Sequence, residues 1–305
     1  MLIADRDNNR LIAVDPQGRI IWQFPQPGDL QPGQQFLSPD DAFFTPDGKE
    51  IIATHELDFF VTIIDIASRR IVWQYGNPGV PGSAPGYLWN PDDAVVLPDG
   101  NVLLADIKNC RVLLIARGSH QVLRSFGRPG QCVHNPPQTF GSPNGTFPMS
   151  NGNYLITEIN GDWADELTPD GRVIFSTNPP AVNYPSDSNE ISPNRYLTAD
   201  YSSPGKLVIF DRAGKALWTF EPSGANMLDH PSLALPLPNG DVISTDDRNN
   251  RIIVVDPSTN QIVWQYGQTG VSGSSPGLLN TPDGLDMVPP NSLMIRHHTT
   301  DGKHG

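Results

Sequence analysis

Positive charge, cysteine and long apolar runs are all scarce in this chain. Twenty Lys and Arg stand against 33 Asp and Glu, a formal net charge of -13 over 305 residues. Such a surface repels nucleic-acid phosphate and anionic lipid, which excludes nucleic acid as a partner and favours cations or cationic and small polar ligands. The longest apolar runs, such as "LVIF" and "RIIVVD", are far too short to cross a bilayer, so no membrane span is expected. The start, "MLIADRDNNR", has neither the basic stretch nor the apolar stretch of a secretion signal. The chain could still be the mature part of an exported protein, because it opens in the middle of a repeat. Only two cysteines occur, Cys110 and Cys132, with no C-x-x-C and no zinc spacing. No stretch sustains a helical period, and no block of like charge marks a disordered tail.

Turn formers are abundant: 31 Pro and 28 Gly, without a collagen-like period. Between them lie apolar bursts of four to six residues, which is strand patterning. The bursts recur as a group. "RIIWQF", "RIVWQY", "ALWTF" and "QIVWQY", with the degenerate "VLRSF" and "VIFST", align Trp22, Trp73, Arg124, Phe175, Trp218 and Trp264. The steps are about 51, 51, 51, 43 and 46 residues, the range of propeller blades. A second column ends strands at Asp5, His55, Asp106, Glu158, Asp200 and Asp246; a third is a tight turn such as Pro46-Asp47-Gly48 or Pro238-Asn239-Gly240.

Each unit therefore reads as strand a, turn, strand b, loop, strand c, turn, strand d and a linker. The expected fold is all-β, a six-bladed β-propeller of four-stranded antiparallel blades over residues 1–291. The first blade lacks its strand a, which comes from the far end in "DGLDMVPP", Asp283 to Pro290, and closes the ring. Residues 292–305 read as a C-terminal tail containing a surplus strand-like segment, "SLMIR", which is either loose, or takes the place of Met1–Asp5, or pairs with another molecule and so offers a route to self-assembly. Its histidines, His297, His298 and His304, could take up metal adventitiously.

"ADRDNNRLIAVD", "ADIKNCRVLLI" and "TDDRNNRIIVVD" resemble the NHL-repeat signature, in which an Asp ends one strand and Asn-x-Arg opens the next. "DPSTNQIVWQYG" and "DIASRRIVWQYG" resemble the Asp…Trp pattern of quinoprotein-like bacterial propellers. The likeness implies the propeller fold. It does not choose an activity, since such propellers include lyases, hydrolases and pure binding scaffolds.

Two acidic rings are expected to meet at the channel mouth. The linker ring holds Asp40, Asp41, Asp92, Asp93, Asn144, Ser186, Asp187, His230, Ser232 and Asp283. The strand-b ring holds Asp5, His55, Asp106, Glu158, Asp200 and Asp246. Crowded carboxylates need a cation, a donor or a raised pKa, so one reading is a site for Ca²⁺ or another divalent cation, and otherwise no cofactor is expected. The alternative is that each Asp caps turns of its own blade, and recurrence favours it. His55, Glu158 and His230 depart from their columns, which makes them the candidate catalytic residues. Arg10, Arg111 and Arg251 are expected to bridge blades, the column tryptophans to pack between blades, and Trp89 and Trp163 to be free for a ligand. The matching linkers Tyr75–Asp93 and Tyr266–Gly284 read as braces. Gly273-Ser274-Ser275-Pro276-Gly277 is no nucleophile elbow, because the sister copy carries Ala84. Cys110 and Cys132 fall at neighbouring strand ends, so a disulfide and an extracellular or periplasmic location are expected, with two free thiols in a cytoplasmic protein as the alternative. The favoured function is a binding or scaffold propeller that engages a protein or small ligand; the other is a metal-assisted lyase or hydrolase.

Overall fold

In a computed structural model, which describes residues 1–290 together with Ser292 and Met294, the chain folds into six four-stranded antiparallel sheets. Five are consecutive in sequence. The sixth joins Pro282–Asp286 to Leu2–Asp5, Arg10–Val14 and Ile20–Phe24, so the last strand completes the first blade. The ring closes as the repeat phase requires, and blade one leaves its inner edge paired. The surplus-strand reading of residues 292–296, and any assembly through 292–305, lie outside the described residues apart from Ser292 and Met294. Met294 is buried beside Leu2, Phe36 and Ile51 of blades one and two.

Strands b and c are mostly apolar on both faces because each sheet is sandwiched between two others; strand c of blade four, with Asp165 and Glu166, departs from this. Leu2, Ala4, Leu11 and Ala13 of blade one meet Ile51, Ala53 and Ile64 of blade two. Leu197, Ala199 and Leu207 of blade five meet Val242, Ile253 and Val255 of blade six. Each fully buried aliphatic or aromatic side chain contributes roughly 1.5–3 kcal/mol, so the ring holds mainly through blade-to-blade contact. The column tryptophans lie between blades as expected: the Trp73 indole donates to the Arg117 carbonyl of blade three at 3.0 Å, and Trp218 to Asn260 of blade six. Cys110 and Cys132 are joined by a disulfide across 22 residues, with Cα atoms 5.2 Å apart.

One irregularity shapes the channel. In blades one, three, four and five the innermost strand slips by a residue where it pairs with strand b. Pro91 faces Asp106 while Ala94 faces Leu104, and the same shift separates Pro143 from Thr146, Pro185 from Ser188 and Pro282 from Leu285. A β-bulge re-aims side chains that strict alternation would send to opposite faces. The bulged residues are the pairs Asp92-Asp93, Asn144-Gly145, Ser186-Asp187 and Asp283-Gly284.

Candidate ligand site at the channel mouth

The eight bulged residues, with the residues that directly precede the innermost strands of blades two and six, fall in two rings. The outer ring reads Asp40, Asp92, Asn144, Ser186, Ser232 and Asp283 around the six blades. The inner reads Asp41, Asp93, Gly145, Asp187, Leu233 and Gly284. All six outer positions line one small cavity of about 110 Å³, together with Arg6, Glu56, Tyr184 and Tyr201. The inner carboxylates do not line it, and all three are buried.

The inner ring depends on its two glycines. A Cβ at Gly145 would stand 2.7 Å from Asp187 Oδ1, and one at Gly284 would stand 2.6 Å from Asp41 Oδ1. Glycine here is room for the neighbouring blade's carboxylate. No donor reaches Asp41 Oδ1, Asp93 Oδ1 or Asp187 Oδ1 among the described residues. Asp93 accepts one amide, from Thr146 at 2.8 Å, on its other oxygen.

The charge is strongly unbalanced. Asp40, Asp41, Asp92, Asp93, Asp187, Asp247, Asp283 and Glu56 gather here, and Arg6 is the only base among the described residues lining the cavity. Arg6 Nη1 lies 2.5 Å from Asp283 and 2.8 Å from Asp40; Nη2 lies 3.6 Å from Glu56. The inner carboxylates and Asp92 are left without a cation. Burial first, and then the charge of neighbouring carboxylates, hold Asp40, Asp41, Asp92, Asp93 and Asp187 well above the usual carboxylate range. Two triads have carboxylate oxygens all within 4.8 Å of one another, Asp40–Asp41–Asp92 and Asp41–Asp93–Asp187, and Asp41 belongs to both. Oxygen-only ligands from several blades suit a hard divalent cation such as Ca²⁺.

The strand-b ring does something else. It does not join the linker ring in one cluster, because each member is turned onto the linker that enters its own blade. Asp5 accepts the Asn280 amide, Asp106 the Trp89 amide, Glu158 the Gly141 amide, Asp200 the Tyr184 amide and Asp246 the Asp229 amide. His55 clamps a carbonyl instead: its Nδ1–H donates to Leu37 at 2.5 Å, while Nε2 faces the Thr62 hydroxyl at 3.1 Å. The residue paired across on strand c changes in step. Asp5, Asp106 and Asp246 face Arg10, Arg111 and Arg251; Asp200 faces Lys206; His55 faces Phe60; Glu158 faces Trp163.

The arginines therefore tie a linker to its own blade and do not cross from blade to blade. Arg111 Nε bonds Asp106 at 2.8 Å, while its other nitrogens reach the linker carbonyls of Ser83 and Tyr87. Arg10 makes the equivalent bonds to Asp5 and Ser274. The two matching linkers repeat each other further: Asn109 and Asn8 donate to Gly82 and Gly273, and Tyr75 and Tyr266 hydroxyls receive the Gly86 and Gly277 amides. They are braces, and Ser274 is part of one.

Of the three candidate catalytic residues, His55 is fully buried, stacked on Phe60 at 4.1 Å, and its pKa is lowered to about 4 by burial. Glu158 is likewise enclosed. His230 is part-exposed, bonds Asp229 at 2.6 Å and lies edge-on to Tyr201 on the cavity wall. Asn144 is buried in the outer ring, donating to Ser186. Trp89 is exposed, whereas Trp163 stacks on His134 at 3.9 Å.

Sequence reasoning missed Arg6, Glu56, Tyr201 and Asp247. Each directly follows a strand-b terminal residue, so the signal was present one place beyond the chosen column. The tight turn that follows strand b carries the next side chain into the channel.

No family model and no curated protein matches the chain. Among solved structures it is similar to a protein of unknown function from Bacteroides caccae, at 18% identity and TM-score 0.61, over 87% of this chain and 92% of that one. It is similar to a streptogramin B lyase at 17% identity and TM-score 0.53, over 75% and 68%. A third likeness is to the WD40 β-propeller domain of Doa1, at 11% identity and TM-score 0.56, over 86% and 77%. The class these define is the β-propeller. At such identities the likeness shows the fold alone.

Proposed function

We propose that this is a binding propeller of the NHL-like kind whose channel mouth holds a divalent cation, Ca²⁺ by ligand type, and through it a small polar or anionic group of a partner or ligand. The observation that carries this reading is the set of unpartnered, buried inner-ring oxygens, for which two glycines clear space. Eight acidic groups against one arginine require protons or cations, and fixed oxygens from several blades supply a cation's shell. The Asp92 carboxylate and the cavity's Asn and Ser side chains offer the remaining polar contacts. The disulfide supports an extracellular or periplasmic location.

A second reading, a metal-assisted lyase or hydrolase, has one specific support: His230 beside Tyr201 at the cavity wall. The cation would polarise a carbonyl and His230 would move the proton. His55 and Glu158 serve neither reading in the channel, because both are committed to linkers. The streptogramin B lyase likeness adds a precedent for an enzyme on this fold and nothing about substrate.

The test is calorimetric titration of EDTA-treated protein with Ca²⁺, Mg²⁺ and Mn²⁺, beside Asp41→Asn and Asp187→Asn. Binding by the parent chain, lost at least tenfold in both variants, is expected. Absence of heat and of any thermal shift with all three ions would end the cation reading.

A further inference from the structure

Blade four breaks the strand-b pattern in a way that the linker clamp does not explain. In blades one, three and six the clamp carboxylate is neutralised by an arginine on the facing strand. In blade four that arginine is Trp163, and the base comes from the linker instead: His134 Nδ1 lies 2.9 Å from Glu158 Oε1. The ring of His134 is held flat against Trp163, 3.9 Å between centroids and 7° from parallel. Two residues along the same strand, where blade three has Leu113, stands a second acid, Asp165. Its side chain is 0% exposed, neither oxygen accepts a well-formed hydrogen bond among the described residues, with Glu158 and Ser176 its polar neighbours, and Oδ2 lies 3.9 Å from His134 Nδ1. A buried carboxylate without a well-formed hydrogen bond is costly, and this one replaces a leucine that would cost nothing.

We propose that His134, Glu158 and Asp165 form a site for one borderline divalent transition-metal ion, Zn²⁺ by ligand type, separate from the channel cations. One imidazole nitrogen and two carboxylate oxygens, all within 4.8 Å of one another, are the donors. Zinc prefers imidazole and carboxylate at about 2.0–2.2 Å, which puts tetrahedral ligand atoms roughly 3.3 Å apart. The present separations of 2.9 and 3.9 Å straddle that edge, so a small shift of the His134 ring suffices. Two carboxylates balance the ion's charge in a buried setting. The imidazole is the exposed member, 22% against 0% for both acids, so the fourth position opens beside it to solvent. The surroundings hold the ligands in place. Trp163 fixes the imidazole plane, the Gly141 amide fixes Glu158 through its other oxygen, and the disulfide anchors the linker two residues before His134. A ligand set of this kind selects against Ca²⁺, which takes six to eight oxygens, and so distinguishes the two sites.

The experiment is Zn²⁺ titration against a chromophoric chelator in the full-length chain. The background carries Asp41→Asn and His297→Asn/His298→Asn/His304→Asn, which removes the channel cation and the tail imidazoles. One Zn²⁺ per chain is expected, unaffected by millimolar Ca²⁺. Asp165→Asn and His134→Gln should each weaken it at least tenfold, and Asp165→Asn folds readily because it removes a buried charge. Co²⁺ should give a visible d–d spectrum that both variants lose. Equal Zn²⁺ affinity in parent and variants would overturn the site. So would Asp165→Asn raising thermal stability while the parent chain binds no Zn²⁺, since Glu158 and Asp165 would then simply share a proton. Failure of Ca²⁺ to bind the channel leaves this result unaffected, because no residue is common to both sites.

Discussion

Replacing Asp246 by Asn separates clamp from ligand site most directly. The Arg251 guanidinium is almost wholly buried, with Nε 2.6 Å from Asp246 Oδ2. Nη1 reaches Gln265 at 3.2 Å and Thr269 at 3.0 Å, and Nη2 reaches the Asn226 carbonyl at 3.1 Å. Asp246 also accepts the Asp229 amide at 2.7 Å and the Asn249 side chain. Asparagine would keep one acceptor and set an amide NH₂ against either the guanidinium or the Asp229 N–H. It also leaves a buried cation without its counter-ion. Removing one partner of a buried pair costs about 3–5 kcal/mol, which for a chain of this size lowers Tm by roughly 5–8 °C. Urea unfolding followed by tryptophan fluorescence should show the midpoint fall with the slope unchanged. Arg251→Met should cost a similar amount. The double variant should cost less than the sum by at least about 2 kcal/mol, since the two residues act as one unit. A loss below about 1 kcal/mol for Asp246→Asn, accompanied by a tenfold loss of channel cation affinity, would refute the clamp and return the strand-b ring to the ligand site.

Three further outcomes follow from the geometry. Asp41 carries a folded-state pKa above its ordinary value, so the folded state holds the extra proton and stability is lost as pH rises through that folded value. In EDTA, Asp41→Asn should therefore be more stable than the parent by a margin that grows with pH above about 4, and thermal scans showing a flat margin would contradict it. His55 is the opposite case. Its pKa is lowered to about 4 from 6.5, so its contribution is present above that range and lost as pH falls from 6.5 toward 4. Relative to His55→Gln, the parent should lose up to about 3 kcal/mol across this window; a constant difference by urea titration would show that His55 is not held neutral. Cys110→Ser with Cys132→Ser opens a loop of 22 residues' separation, which in the chain-entropy picture costs about 3 kcal/mol, and equal denaturation midpoints would contradict it.

Much of the ring was legible because repeats write the same physics several times. The Trp22–Trp264 column gave the blade period, and the missing first strand gave the closure. The disulfide followed from two strand ends that a blade must bring together. The outer ring was named almost fully, since Asp40, Asp92 and Asp283 recur before strand a. What escaped was whatever depends on a departure from regular pairing. Asp92 and Asp93 were both placed at the channel mouth, but the bulge that sorts them into an outer and an inner ring is invisible in a strand pattern of period two. Arg6 and Glu56 were missed because the turn, and not the strand, aims them. His134 and Asp165 sit 31 residues apart in a degenerate blade, and only the folded linker brings them to Glu158.

Ring closure by Pro282–Asp286 has a consequence for how the protein is made. Residues 2–24 are three strands of a blade whose inner strand is synthesised about 260 residues later. At roughly 5–20 residues per second that is a wait of about 10–50 s. Throughout it the inner edge of Leu2–Asp5 has unpaired backbone groups. Blades two to six can settle behind it, each against the one before, but the channel mouth lacks Asp283 until that strand arrives. A nascent chain halted before residue 282 should therefore carry an open, sticky edge and an incomplete channel mouth. Pro282–Asp286 would thus act as the latch of the ring.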